Sequence, residues 1–174
     1  EFRDFISAKD GDEIKKSPMH VLKGLTKLRQ ICNSSKLLQN EDLTSAADSA
    51  KIEMLIEQIQ HKKDQHKMIV FSQFVSMLNL IKEALDKQGI CSLMLTGQSK
   101  DRGKLVNDFQ SDKDIPVFLV SLKAGGTGLN LTAADVVYLV DPWWNPAVEQ
   151  QAIDRIYRMG QQKTVTAVRL ISPN

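Results

Sequence analysis

The sequence predicts an α/β protein: a parallel sheet with helices on both faces, preceded by a helical N-terminal segment. Two observations carry that prediction. From residue 68 onward, short apolar runs alternate with stretches of helical period, and the runs suit strands buried on both faces. Before residue 68, apolar residues instead recur every three or four positions. Alternating strands and helices imply right-handed crossovers and hence a parallel sheet covered on both sides. The organisation expected is a helical segment over 1–66 leading into one compact unit over 67–174.

Each element has its own signal. Pro18 opens a helical pattern in which Val21, Leu22, Leu25, Leu28 and Ile31 share a face, and Asn33-Ser34-Ser35 interrupts it. Residues 39–48 are polar and read as a loop. Ser49 is placed to cap a helix lined by Ile52, Leu55, Ile56 and Ile59. His61 to Lys67 is a charged turn. Strands follow at Met68–Phe71, Ser92–Leu95, Pro116–Leu122, Val136–Val140 and Val165–Ile171. Between them, residues 75–88 show helical spacing and end at Gly89, Leu105, Val106 and Phe109 mark a further helix, and another spans Ala147 to Met159.

Composition narrows the class. The chain has 174 residues, 42% of them apolar and 25% charged, which is the make-up of a folded domain. A formal net charge of +2 excludes a wholly basic nucleic-acid coat. The excess sits at the end, where Arg155, Arg158, Lys163 and Arg169 outnumber Glu149 and Asp154. Cys32 and Cys91 lie far apart with no CxxC pair, so neither a disulfide framework nor a metal site is expected. No apolar run approaches the roughly 18–20 residues of a membrane span, and no signal peptide opens the chain. The chain starts at Glu1 and is read as an intracellular excerpt of something larger.

Ligands of an open parallel sheet bind outside the carboxyl ends of its strands. Four loops occupy that edge: Ser72-Gln73-Phe74, Thr96 to Ser99, Ser121 to Asn130, and Asp141 to Pro146. Gly97 to Leu105 imitates a phosphate-binding P-loop, but five residues separate its glycines where four are needed, and Leu105 replaces the Mg²⁺-binding hydroxyl. Lys123-Ala-Gly125-Gly126-Thr127-Gly128 can bring backbone amides close to an anion, or can simply be a tight strand-to-helix connection. Trp143 and Trp144 stand between two prolines; one can stack on a base or sugar, or both can be buried. Gln151, Asp154, Arg155 and Arg158 fall within about a quarter of one helix's circumference. Such a pair of guanidiniums suits charge on a transferring phosphoryl group, and a solvated salt-bridge face accounts for the spacing as well.

These residues also carry a resemblance. From Ile69 to Ile171 the chain resembles the second RecA-like lobe of SWI/SNF-type DNA translocases, in helicase superfamily two. Val70-Phe71-Ser72-Gln73-Phe74 is similar to motif IV. Leu95-Thr96-Gly97 with Arg102 and Phe109 is similar to the following segment, with Thr96 where the family usually has Asp. Leu119 to Leu131 is nearly motif V letter for letter. Asp141 to Pro146 with Gln151 to Gln161 is similar to motif VI and its lead-in. Leu28 to Asn33 matches the family's upstream helix, which continues here with Ser34-Ser35 in place of His-Pro. The likeness covers about residues 20–172.

The resemblance implies a RecA-like fold and one half of a double-stranded-DNA-dependent ATPase. Arg155 and Arg158 would be arginine fingers on ATP, with Gln151 helping to place them. Gly126, Gly128 and Asp154 would border the nucleotide. Ser72, Gln73, Thr96, Gly97, Lys123 and Thr127 would meet DNA phosphates, and Trp144 would lie against the tracked strand. ATP and Mg²⁺ would be held mainly by a first RecA-like lobe of the same polypeptide, so this chain alone would not hydrolyse ATP. No membrane partner is implied, and the compartment would be a bacterial cytoplasm or a nucleus. Two other readings stay open at this level: an RNA-helicase lobe, and a non-catalytic RecA-like binding module. Asp154-Arg155-Ile156-Tyr157-Arg158 departs from the His-Arg-x-Gly-Arg usual in RNA helicases.

Overall fold

A computed structural model describes residues 22, 24–28, 30, 50–125, 129–141, 147, 150, 154 and 163–171. The chain divides into two compact units, Glu1–Ala47 and Asp48–Asn174. In the first unit, Leu22, Gly24 to Leu28 and Gln30 are helical, and the Thr26 hydroxyl donates back to the Leu22 carbonyl at 2.9 Å.

The second unit is built on a five-stranded parallel sheet. Its elements are α1 (Ala50–Lys62), β1 (Met68–Ser72), α2 (Val75–Lys87), β2 (Ser92–Leu95), α3 (Arg102–Ser111), β3 (Val117–Ser121), α4 (Leu122–Gly125), β4 (Val136–Leu139) and β5 (Thr166–Arg169). The strand order is β2-β3-β1-β4-β5. In register, Met68 stands beside Val117 and Val136, and Phe71 beside Val120 and Leu139. All five strands read from the sequence are present, and the RecA-like α/β reading holds.

The uniform apolarity of the central strands follows from being covered twice. Every residue of β1, β3 and β4 is buried, whereas β5 at one edge is largely exposed. With a side-chain period of two, alternate residues serve opposite faces. Ile69, Phe71, Phe118, Val120, Val137 and Leu139 join Val106 and Phe109 of α3 in one core cluster. There the rings of Phe109 and Phe118 stack with centroids 5.0 Å apart. Met68, Val70, Val117, Leu119, Val136 and Tyr138 are buried on the other face, where Lys62 of α1 reaches the Tyr138 hydroxyl at 3.4 Å. α1 packs on α2, whose Met77, Leu78, Ile81 and Leu85 are fully buried.

The end of α2 shows how a local signal sets a boundary. Gly89 takes φ +65°, a left-handed value that a Cβ makes unfavourable. That turn lets the Ile90 amide reach the Leu85 carbonyl and the Gly89 amide reach the Asp86 carbonyl, each at 3.0 Å, the double bond of a Schellman cap.

β3 ends one residue before the sequence pattern does. The Ser121 hydroxyl accepts the Ala124 amide at 3.2 Å and so caps α4, a single helical turn. Leu122 is apolar enough to extend the strand, but the serine before it favours the helical turn. No helix among the described residues is long and apolar enough to cross a membrane.

Candidate functional site

The topology fixes where a ligand site can form. The chain leaves β1 toward β2 in one direction and leaves β4 toward β5 in the other, so the carboxyl ends of adjacent β1 and β4 are a switch point of the sheet. The turn after β1 is held by its own first residue. The Ser72 hydroxyl accepts the Phe74 amide at 3.1 Å and lies 3.2 Å from the Phe74 carbonyl. Ser72 is fully buried, so in this conformation it shapes the turn and offers no oxygen to a surface phosphate.

Gln73 follows, half-buried, with its amide donating to Asp141 Oδ2 at 2.9 Å across the switch point. Its side-chain Nε2 is buried without a hydrogen-bond partner among the described residues. Asp141 is 6% exposed. Just before it, the Val140 amide donates to the Phe71 carbonyl at 3.1 Å, and the Lys51 ammonium of α1 donates to the Val140 carbonyl at 3.2 Å.

The loop after β2 closes on itself. The Thr96 amide donates to Ser99 Oγ at 3.0 Å, and the Gln98 amide donates to Thr96 Oγ1 at 3.3 Å. Arg102 Nη2 donates to the Gly97 carbonyl at 3.2 Å. Gly103 lies inside α3, and Leu105 packs against the core. The stretch that imitates a P-loop therefore folds as a short turn and a helix start, with no cradle for a β- or γ-phosphate. Among the described residues, no group of three His, Cys, Asp or Glu could hold a metal.

Lys123 is exposed on α4, a helical turn where the sequence had suggested a glycine loop. Asp154 is helical and exposed, its Oδ1 accepting from Gln150 Nε2 at 2.8 Å. The structure thus brings Gln73 to the switch point and leaves Thr96 and Gly97 in the loop after β2 and Lys123 on α4, at the same edge. Gly126, Thr127, Gly128, Trp144, Gln151, Arg155 and Arg158 lie outside the described residues.

The amino edge is built differently. The Lys67 ammonium donates to the carbonyls of Phe109, Asp112 and Ile115 at the end of α3, and sits 4.6 Å from the Phe109 ring centroid. Burial lowers its pKa below the ordinary 10.5; Asp112 opposes the shift and Lys163 adds to it. Buried Asp135 takes the Lys67 amide on Oδ1 at 3.2 Å, while its Oδ2 lies 2.9 Å from His66 Nδ1 and 3.5 Å from Lys163 Nζ. Cavities of about 520 and 340 Å³ open at this edge. Sequence reasoning assigned no role to Asp135, Lys67 or Asp141, because their partners are scattered through the chain.

The family model of the helicase conserved C-terminal domain matches residues 50–160. The chain belongs to that family. It is 41% identical over 169 residues to an uncharacterized ATP-dependent helicase of Mycoplasma pneumoniae, covering 94% of this chain and 16% of that protein. It is 45% identical over 146 residues to the ATP-dependent helicase rhp16 of Schizosaccharomyces pombe, covering 81% of this chain and 17% of that one. A solved structure of the Sulfolobus solfataricus SWI2/SNF2 ATPase core in complex with double-stranded DNA superposes with a TM-score of 0.77 at 33% identity. That likeness covers 98% of this helicase lobe and 35% of the solved chain. The lobe therefore spans about a sixth of the curated relatives it matches, 16% and 17% of their lengths.

Proposed function

We propose that this helicase C-terminal domain is the second lobe of an ATP-driven double-stranded-DNA translocase. ATP and its Mg²⁺ are bound by a first lobe of the same polypeptide, because nothing described at the carboxyl edge here forms a phosphate cradle. In this reading Arg155 and Arg158 stabilise charge on the transferring phosphoryl group, and Gln151 orients them. Gly126, Gly128 and Asp154 border the nucleotide. Gln73, Thr96, Gly97, Lys123 and Thr127 meet phosphates of one DNA strand, Trp144 lies against it, and Ser72 sets the turn that presents Gln73. Contacts to backbone alone carry no sequence code, so tracking is sequence-tolerant and salt-dependent.

One observation carries this reading: 98% of the lobe superposes on an ATPase core whose solved structure contains duplex DNA. The Gln73 amide nitrogen at the β1/β4 switch point, without a partner among the described residues, supports it, since such a donor suits an anionic ligand. The test joins this lobe to its own upstream lobe and measures ATP turnover alone, with duplex DNA and with RNA. Stimulation by duplex DNA is expected. Stimulation by RNA but not duplex DNA overturns the reading in favour of an RNA helicase, and hydrolysis by residues 1–174 alone overturns the division of labour.

A further inference from the structure

The carboxyl end of β4 is the one part of the ligand edge where bonds between distant residues meet among the described residues. Gln73 and Asp141 are 68 positions apart, and Lys51 and Val140 are 89 apart. A buried carboxylate is costly unless it is hydrogen-bonded, and a bond from an amide to a charged oxygen is stronger than one between neutral groups. The main-chain link between the two strand ends stops at Phe71 and Val140. Beyond that point the chain leaves β1 and β4 in opposite directions, and the Asp141 carboxylate is what reaches across to the next amide.

We propose that Asp141 is a positioning residue that locks the turn after β1 to the end of β4. The turn carrying Gln73 and the chain leading toward Arg155 and Arg158 then shift as one body. A DNA contact made by the first is thereby transmitted to the second. The coupling rests on the translocase reading above; the lock does not.

The test uses the two-lobe polypeptide with Asp141→Ala, Asp141→Asn and Leu85→Ala, the last a destabilising control in α2. Hydrogen exchange resolved to the Gln73 amide should speed up about tenfold or more in Asp141→Ala, the worth of one hydrogen bond. In Asp141→Asn, whose carbonyl oxygen accepts the same amide, it should stay within about threefold of wild type. Stimulation of ATP turnover by duplex DNA should fall by about fivefold or more in Asp141→Ala and persist in Asp141→Asn and in Leu85→Ala, assayed below its melting temperature. Where Asp141→Ala does not fold, Asp141→Ser, whose hydroxyl is too short to span the gap, replaces it.

Unchanged exchange at Gln73 in the alanine variant overturns the lock. An equal loss of stimulation in Leu85→Ala at matched stability overturns the positioning role. Wild-type protein that DNA does not stimulate refutes the translocase reading and the coupling with it, while the exchange measurement still decides the lock.

Discussion

At the amino edge of the sheet, Lys67, His66 and Asp135 bond to partners 42 to 69 positions away. At the carboxyl edge, away from the end of β4 where Gln73 meets Asp141, Ser72, Thr96 and Arg102 make bonds within five positions of themselves. Long-range bonds knit separate elements together and raise the cost of opening them. Short-range bonds shape a loop and leave its outer atoms available. The contrast separates two parts of one sheet: the amino edge is fastened by distant partners, and most loops of the carboxyl edge are shaped from within.

Substitutions at the two edges should therefore fail in different ways. The largest effect belongs to Arg155→Ala or Arg158→Ala in the two-lobe polypeptide. Each should lower ATP turnover by roughly 10³-fold, in line with other arginine fingers, with nucleotide affinity by equilibrium titration nearly unchanged. Full turnover would break the assignment of chemistry to the carboxyl edge.

Next comes Asp135→Ala at the amino edge. It strips a buried acceptor from the Lys67 amide and a partner from His66 and Lys163. Denaturant unfolding should show a loss of about 3 kcal/mol, with activity per folded molecule preserved. A loss of turnover without loss of stability would invert the comparison.

Lys123→Ala should act more gently. Loss of one phosphate contact weakens duplex binding a few-fold and reduces the magnitude of the slope of log K against log salt by about 1. Measured across several salt concentrations, an unchanged slope would remove Lys123 from the DNA path.

The smallest effect tests the sheet between the edges. Burial raises the pKa of the Tyr138 phenol above the ordinary 10.0. The folded form then holds that proton more tightly than the unfolded chain. The resulting stability is complete below pH 10.0 and is lost as pH rises through the raised pKa. The stability gap between wild type and Tyr138→Phe should be flat up to about pH 10 and move in favour of the variant above it, by unfolding measured at several pH values.

The five strands and the helices α1, α2 and α3 were legible because each signal is local. Met68 to Phe71 is apolar without a break, and Gly89 marks the end of α2 by its left-handed turn. The one-turn α4 was less legible, because Leu122 reads equally well as strand; the Ser121 cap decides it. The loops of the ligand edge were readable as a set, since strand ends follow once strands are found. Their internal bonding was not. Ser72 is expected at a phosphate from its motif, and the bonds that make it the buried organiser of its own turn could not be read from that motif. The false P-loop was excluded by spacing, and Arg102 on the Gly97 carbonyl supplies the geometry.

By itself, the sequence determined which segments are strands, which are helices and which loops lie at the ligand edge, because period and turn chemistry act over a few residues. Only the tertiary structure decided that β1 stands between β3 and β4. A crossover that skips a strand and one that joins neighbours share the same local pattern. From that order come the switch point, the meeting of Gln73 with Asp141 and the fastening of α3 by Lys67. All three depend on residues that the chain alone keeps far apart.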